Sequence, residues 1–239
     1  MADQQDAAAA EELGLFRALQ SAIDDDDADA ALEASSELAE LLPGDADVRK
    51  ARCVAAIQAG DYDLALEVSA GVEELAYERA YSLYKAARND EALAALSDMG
   101  EDDEGRMALE AQLRYRLSEF DACADLYDVV PGVRDDVELR TNMCAAYAAA
   151  GRGDECIDRL DGWGDVPQED DEEPAGAYEL LFNRGCAHLA QGNFAAARAE
   201  LEAAHEACRS SLEEDGYTEE EIANEAAVIR VQVRSYFAL

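Results

Sequence analysis

The sequence predicts an all-α fold, a right-handed α-solenoid of about six helix pairs followed by an unpaired C-terminal helix. Three observations support this prediction. Alanine occurs along the whole chain, whereas the 239 residues include only four prolines and five phenylalanines, which favours helices over a β-sandwich. A helix–turn–helix pattern recurs six times along the chain. The spacing of its copies suits a repeat built from two short helices.

The recurring pattern consists of a helix end, a tight turn and a second helix that opens with an aromatic or small residue. The turns of the six copies start at Asp26, Gly60, Ala87, Ser118, Gly151 and Gly192. Successive turns are 34, 27, 31, 33 and 41 residues apart. Because a helix–turn–helix period near 34 residues is typical of tetratricopeptide repeats, we expect about six tetratricopeptide-like helix pairs.

These turns divide the chain into alternating first and second helices. First helices are expected at about 11–23, 46–59, 73–86, 104–117, 135–150, 177–191 and 218–239. Second helices are expected at about 28–42, 61–70, 89–98, 119–129, 153–161 and 193–213. Residues 1–12 are predicted to be a flexible N-terminal tail, and residues 13–239 the tetratricopeptide-repeat domain. An acidic insertion at 164–176 is predicted to be a solvated loop, because runs of like charge usually face water.

Residue types near each turn predict how the two helices of a pair meet. A glycine or small polar residue is expected to end the first helix, and an aspartate or asparagine to cap the second. Small residues recur seven positions before the turns, at Ala80, Ala111, Cys144 and Gly185. Larger side chains at these positions would push the helices apart, so we expect close helix contacts there.

The cysteines and histidines predict neither disulfides nor a metal site. Six cysteines lie in alanine-rich helical stretches without any Cys-x-x-Cys pair, so they are expected to be free, buried thiols. His188 and His205 are far from any group of cysteines that could complete a zinc site. The run of four aspartates at 24–27 lacks the pattern of a calcium loop and is better explained as a solvated turn.

The last predicted helix differs from the others because no second helix follows it. It starts at Thr218, where Glu221 three residues later completes a capping box. Its apolar positions, including Val228, Val231 and Phe237, continue to Leu239. A solenoid needs a polar terminal cap, so the chain is expected to be a fragment of a longer protein.

The net charge, the short apolar runs and the absence of catalytic motifs from the sequence exclude several classes of function. Asp and Glu number 56 and Lys and Arg 19, which gives a formal net charge of −37 and argues against a nucleic-acid groove. The apolar runs are too short to span a bilayer, so no membrane insertion is expected. Nucleotide-binding and nucleophile motifs are missing from the sequence. We therefore expect no enzyme activity and no cofactor.

Several segments resemble one known family, the seventy-two-kilodalton subunit of the signal recognition particle. Successive repeats contribute matching stretches at 77–93, 113–123, 140–142, 178–187 and 207–222. The short third repeat and the acidic break before the sixth are also similar to that family. The resemblance is collinear from about Leu13 to Leu239, as expected for its N-terminal tetratricopeptide region.

This resemblance implies a scaffold of the signal recognition particle that supports co-translational protein targeting. In the family, the tetratricopeptide array binds a segment of the sixty-eight-kilodalton subunit, and a basic C-terminal region binds the particle RNA. The only lysines in this sequence are Lys50 and Lys85, so particle RNA is expected as an indirect partner only. The implied localisation is cytoplasmic, with association with the endoplasmic reticulum through the particle.

The candidate binding residues lie on the first helices, which line the concave side of stacked helix pairs. Tyr77, Tyr81 and Tyr84 share one helix face, and Tyr115 and Phe182 occupy groove-facing positions in later repeats. Tyrosines suit a binding surface because they add contact area at low entropic cost. The alternative is that these aromatics form the core between repeats.

Four arginines and two asparagines on the first helices are further candidates. Asn142 and Asn183 each lie nine residues before a turn, where an amide could bond a peptide backbone or a neighbouring helix. Arg114, Arg116, Arg140 and Arg184 could face the groove or balance carboxylates such as Glu110.

Two other functions remain open at this point. A co-chaperone domain would clamp a C-terminal carboxylate, and Lys50 suits such a clamp, but Val54 stands where an asparagine is wanted. A protein of a high-salt cytoplasm could use the same repeats as an unrelated assembly adaptor. Low lysine content and abundant carboxylates fit that second alternative, whereas the family-like segments do not.

Overall fold

The computed structural model of the chain describes residues 2–97, 99, 104–164 and 177–226. Its contacts divide the chain into two compact units, unit 1 (Met1–Leu109) and unit 2 (Glu110–Leu239). In the described residues all regular elements are helical, with no β-strand. The predicted all-α fold of tetratricopeptide-like helix pairs is therefore confirmed. A single domain over 13–239 stays a prediction.

Unit 1 contains three complete helix pairs. Their helices are α1 (Ala2–Asp24), α2 (Ala28–Leu41), α3 (Ala46–Gln58), α4 (Tyr62–Ser69), α5 (Ala76–Lys85) and α6 (Asn89–Leu96). A single 3₁₀ turn, Glu73–Leu75, precedes α5. Each helix packs against the next one along the chain, and the first helices α3 and α5 also contact each other.

Helix α7 (Glu104–Arg116) begins in unit 1 and ends in unit 2. The other helices of unit 2 are α8 (Phe120–Tyr127), α9 (Val137–Ala149), α10 (Gly153–Trp163), α11 (Ala177–Ala190), α12 (Phe194–Glu214) and α13 (Glu219–Glu225). Within this unit α9 packs against α10, α11 packs against α12, and the first helices α9 and α11 contact each other. First helices therefore lie side by side, as a repeat array requires.

The six predicted turns share one backbone geometry. Each turn residue has a positive φ, between 54° at Asp26 and 78° at Gly60. The next N–H then bonds the carbonyl five residues earlier, as from Arg88 to Leu83 (2.9 Å) and from Asp61 to Ala56 (2.8 Å). This hydrogen bond belongs to the left-handed C-cap of a helix. The repeat alignment made from the sequence is thus confirmed at every turn.

The small residues lie where the helices of a pair meet. Ala80, Ala111 and Cys144 are fully buried, as are their partners twelve residues later, Ala92 and Cys156. The Sγ atoms of Cys144 and Cys156 are 3.0 Å apart.

A Cβ on Gly185 would lie 2.7 Å from the Leu201 side chain, so only glycine fits this contact between α11 and α12. All six cysteines are free, and five of them are buried. The close contacts and the free thiols were both predicted, whereas Cys186 is only half-buried.

Two local expectations are wrong. Helix α1 begins at Ala2 rather than at residue 11, because residues 7–10 are alanines, which favour helix and contain no stop signal. Asp27 and Asp61 cap their helices, but Asn193 makes no side-chain cap bond.

The remaining expectations about the chain concern its acidic insertion and its last helix. Thr218 and Glu221 form the predicted capping box at the start of α13. Residues 165–176 and 227–239 lie outside the described residues. These two ranges include most of the predicted insertion and the rest of the last predicted helix. None of the helices within the described ranges combines the length and apolarity needed to cross a bilayer.

Candidate protein-binding groove

Unit 2 contains a groove of about 420 Å³ that is formed by its first helices. Helix α7 contributes Tyr115, and α9 contributes Ala145, Ala148 and Ala149. Helix α11 contributes Phe182, Asn183, Cys186, Leu189 and Ala190. Most of these residues lie three or six positions before a repeat turn. The repeat register therefore determines which face of each first helix lines the groove.

The groove combines a floor of small residues with aromatic walls. The three alanines of α9 leave space that larger side chains would fill, and Tyr115 and Phe182 border that space. Tyr115 is 40% exposed and its ring is held edge-on by Phe120, with centroids 5.3 Å apart. None of the described lining residues is charged. Such a surface suits apolar side chains with a few polar anchors.

The structure brings Tyr115, Phe182 and Asn183 together in the groove lining, whereas Asn142 does not line the groove. The Asn183 amide nitrogen donates to the Thr141 carbonyl (3.0 Å), which links α11 to α9. Asn142 is half-buried and makes no side-chain hydrogen bond with the described part of the chain. Equivalent positions in the repeat therefore differ in their hydrogen bonding. For Asn183 the helix–helix bond, one of the two predicted alternatives, is present.

A second aromatic surface lies on α5 in unit 1, and we name Tyr77, Tyr81 and Tyr84 the tyrosine ladder. Tyr77 and Tyr81 are stacked with ring centroids 6.4 Å apart, and Tyr81 and Tyr84 lie 6.2 Å apart. The Lys85 ammonium lies 5.7 Å from the Tyr81 centroid. All three rings are partly exposed.

The other face of α5 is buried through Ala76, Ala80 and Leu83. The ladder thus has a face that packing does not use, in contrast to the fully buried Tyr127 and Tyr147 of unit 2. A role for the ladder in binding stays a prediction.

Arg114, Arg184 and Arg140 are engaged with the protein itself. Arg114 pairs with Glu110 (2.6 Å) and Glu119 (2.8 Å), and the hydrogen bond to Glu110 raises the pKa of its guanidinium. Arg184 pairs with Glu200 at 3.1 Å. These contacts correspond to the alternative in which arginines balance nearby carboxylates.

Arg140 is 2% exposed and donates to backbone carbonyls of Arg134 and Gly164. Its guanidinium also lies over the Trp163 ring, 5.6 Å from the centroid. Arg140 thereby joins the loop before α9 to the end of α10, which is a structural role.

The polar network around the buried ring of Tyr147 on α9 was not predicted from the sequence. Its hydroxyl donates to Asp128 (2.5 Å), and the guanidiniums of Arg152 and Arg159 lie 5.0 and 4.9 Å from its ring centroid. Arg159 also pairs with Asp128 at 2.7 Å. Burial, together with the bond to Asp128, raises the pKa of the Tyr147 hydroxyl. This network connects α8, α9 and α10 through residues that are 19 and 31 positions apart in the sequence.

Four further groove residues were not predicted from the sequence: Ala145, Ala148, Cys186 and Leu189. Their positions three and six residues before the turns were available from the repeat alignment. Small residues are typical of helix-packing positions, so these alanines did not indicate a binding surface. In the described residues no group of His, Cys, Asp or Glu is arranged to hold a metal ion.

Comparisons with known proteins point to one family. Residues 33–149 match the family model SRP_TPR_like, described as "Putative TPR-like repeat". Subunit SRP72 of the signal recognition particle from Dictyostelium discoideum is 27% identical over 225 residues, 92% of this chain and 32% of that protein. SRP72 from Homo sapiens and from Canis lupus familiaris are each 30% identical over 213 residues, 85% of this chain and 30% of theirs. The chain thus spans about a third of the length of these relatives.

Among solved structures, the TPR domain of P58(IPK) covers 97% of this chain with 18% identity and a TM-score of 0.38. A TM-score this low adds nothing to the fold or function argued from the helices and the relatives. The resemblance inferred from the sequence is confirmed by the family model and the SRP72 relatives. Along most of its length the chain is related to the 72-kDa subunits of the signal recognition particle, consistent with their N-terminal tetratricopeptide region.

Proposed function

We propose that this chain is a non-enzymatic scaffold of the signal recognition particle that holds a segment of the 68-kDa subunit in its first-helix groove. In doing so it supports co-translational protein targeting to the endoplasmic reticulum. The observation that supports this function most strongly is the uncharged lining of the groove in unit 2, in a chain whose residues are 31% charged. An apolar surface in so charged a chain is typical of a binding site.

The groove offers a bound segment both space and polar anchors. Its alanine floor admits an apolar side chain between Tyr115 and Phe182, where burial of apolar area contributes about 25 cal/mol per Å². The Asn183 amide nitrogen is engaged with Thr141, and no described donor bonds its side-chain oxygen. That oxygen is therefore available to accept a hydrogen bond from a backbone N–H of the segment.

The tyrosine ladder of unit 1 is a separate candidate surface for the same partner. Three partly exposed rings on one helix face provide contact area for the segment. Packing inside unit 1 uses the opposite face of α5, so binding at the ladder leaves the fold intact. We therefore assign the ladder to the same partner as the groove.

The charge of the chain determines which partners it attracts. A net charge of −37 favours a segment that is apolar but partly basic, because long-range attraction accelerates encounter. The same charge repels phosphates, so particle RNA joins only through the partner subunit. The proposed localisation is that of the particle, in the cytoplasm and at the endoplasmic reticulum.

Titration calorimetry with the 68-kDa subunit segment tests this function. Replacing Tyr77, Tyr81 and Tyr84 together by alanine should weaken binding at least about tenfold, since truncated hot-spot residues often cost about 2 kcal/mol each. Tyr217→Ala is the matched control, because that tyrosine is 46% exposed and lies outside both the ladder and the groove lining.

Equal affinities of the triple variant and the control would remove the ladder from the binding surface. A wild-type chain that fails to bind the segment, but captures a chaperone or another assembly from cytosol, would overturn the proposed function itself.

A further inference from the structure

The two helices of a repeat meet through buried residues twelve positions apart, and three of these residue pairs contain cysteine. They are Cys53 with Ala65, Ala111 with Cys123, and Cys144 with Cys156. The thiols of Cys53 and Cys123 face the backbone carbonyls of their alanine partners at 3.6 and 3.1 Å. Among the described repeats, the pair of α9 and α10 alone has a cysteine on both sides of this contact.

The two thiols of this contact lie close enough to react with each other. The Sγ atoms of Cys144 and Cys156 are 3.0 Å apart, and both residues are fully buried. A disulfide requires a separation of about 2.05 Å, so the sulfurs need to approach by only about 1 Å. Arg159 of α10 lies over the Tyr147 ring of α9, 4.9 Å from its centroid, and this contact helps to hold the two helices in register around the thiols.

We propose that Cys144 and Cys156 form a redox modification site, at which a peroxide converts the two thiols into an intramolecular disulfide. One thiolate sulfur attacks a peroxide oxygen, so an S–O bond forms, the O–O bond breaks and the departing hydroxide takes up the thiol proton as water. The second thiol then attacks the sulfenic sulfur, which forms the S–S bond and releases a second water. The pair loses two protons and two electrons, and one hydrogen peroxide is reduced to two waters.

Burial sets the conditions under which this site is oxidised. The hydrogen bond to Cys156, together with burial, raises the pKa of the Cys144 thiol well above its usual value, so its reactive thiolate is scarce near neutral pH. Both thiols are shielded from solvent, so peroxide reaches them when the α9–α10 contact opens locally. The site therefore stays reduced under mild conditions and responds to sustained oxidation. Thiol reductants reverse the disulfide by exchange, which is typical of redox-sensing pairs in a reducing compartment.

The disulfide affects the helix that carries the groove floor. Helix α9 contributes Ala145 and Ala148 to the groove of unit 2, whereas Cys144 contacts α10. A covalent link between the two helices restricts the unfolded chain and thereby stabilises the folded pair. This inference goes beyond the proposed function, because it concerns the covalent state of the chain with or without a bound partner.

Peptide mass spectrometry of the full chain tests the proposal. The folded chain is treated with hydrogen peroxide, blocked with N-ethylmaleimide in denaturant and digested with trypsin. Because trypsin cleaves after Arg140, Arg152 and Arg159, the disulfide should join two peptides, 141–152 and 153–159, that contain one cysteine each. Most of both peptides should be recovered in this cross-linked pair, and dithiothreitol should release them.

Two serine variants provide the controls. Cys123→Ser removes a buried thiol that faces an alanine, so the cross-linked pair should persist. Cys144→Ser should abolish it and leave Cys156 open to alkylation. Oxidation should also raise the melting temperature of the wild-type chain by at least about 5 °C, and leave that of Cys144→Ser unchanged.

Two results with the wild-type chain would overturn the proposal, so the test does not depend on how well a variant folds. One is that both thiols stay free at peroxide concentrations that oxidise the half-buried Cys186. The other is that disulfides form indiscriminately among the six cysteines, as they should in a chain oxidised in denaturant. No partner is present in these assays, so their outcome is independent of partner binding.

Discussion

Three of the six repeat turns place a residue other than glycine in the left-handed region: Asp26, Ala87 and Ser118. An L-residue pays about 1–2 kcal/mol for this conformation because its Cβ approaches the following carbonyl. The array nevertheless keeps the geometry, since the same C-cap hydrogen bond forms at all six turns. Turn geometry is therefore imposed by the repeat, and the residue type at the turn adjusts its stability.

Ala87→Gly should stabilise the chain by about 0.5–1 kcal/mol, because Ala87 has φ 58° and is exposed, so little packing is lost. Gly60→Ala is the matched reverse change. Its Cβ would meet nothing within 4 Å, so a loss of about 1 kcal/mol would report backbone strain alone. Denaturant unfolding of both variants measures the difference. A destabilised Ala87→Gly chain would show that strain does not limit this turn.

The distance between two packed helices determines which residue types fit at their contact. Gly185 is buried, and its missing side chain lets α11 approach Leu201 of α12. Gly153 at the start of α10 is similar, since a Cβ there would lie 2.5 Å from the Ala187 carbonyl oxygen of α11. These contacts join helices within a pair and between neighbouring pairs.

Gly185→Ala should destabilise the chain by about 1–3 kcal/mol, because the added methyl overpacks the α11–α12 contact. Gly162→Ala in α10 is the control, since its Cβ would meet nothing within 4 Å and alanine favours helix by about 1 kcal/mol. Thermal unfolding should lower the melting temperature of the first variant and raise that of the second. Equal changes in the melting temperatures of the two variants would show that Gly185 is not a contact residue.

We expect His188 on α11 to make the stability of the chain sensitive to acid. It is 8% exposed, its Nδ1 has no hydrogen-bond partner among the described residues, and burial lowers its pKa. Glu200 opposes this shift and Arg184 adds to it. Because the folded-state pKa lies below the unfolded value near 6.5, the unfolded chain binds more protons as pH falls from 7 through 6.

Stability should therefore decrease over this pH range, and His188→Gln should reduce the slope of unfolding free energy against pH. Denaturant titrations at several pH values compare the two slopes, and the many carboxylates contribute equally to both. Identical slopes would mean that His188 does not carry the acid sensitivity.

Helix boundaries and turn positions could be predicted from the sequence because they depend on local signals. The start of α3 at Ala46 and its end at Gln58 follow from the cap at Asp45 and the turn at Gly60. Of the groove lining, only Tyr115, Phe182 and Asn183 were predicted from the sequence. Its alanine floor depends on which helix faces lie side by side, and the Tyr147 network joins residues 19 and 31 positions apart. Tertiary packing decides both features.

At the scale of the whole chain, shape and charge have separate functions in the proposed binding. The uncharged groove and the tyrosine ladder determine which segment stays bound, and the net charge of −37 affects mainly how fast a basic segment arrives. Added salt screens that attraction over about 10 Å at 0.1 M. Residues that line the groove should therefore govern the dissociation rate. Carboxylates outside the groove should govern the association rate.

Filling the groove tests this account most directly. Ala148→Phe adds a ring to the half-buried alanine floor of unit 2, whereas Ala203→Phe adds the same ring to an exposed position of α12 outside the groove lining. Titration calorimetry with the 68-kDa subunit segment, on variants whose melting temperatures match the wild type, should show at least about tenfold weaker binding for Ala148→Phe only. Equal affinities for both variants and the wild type would contradict the claim that this groove holds the partner.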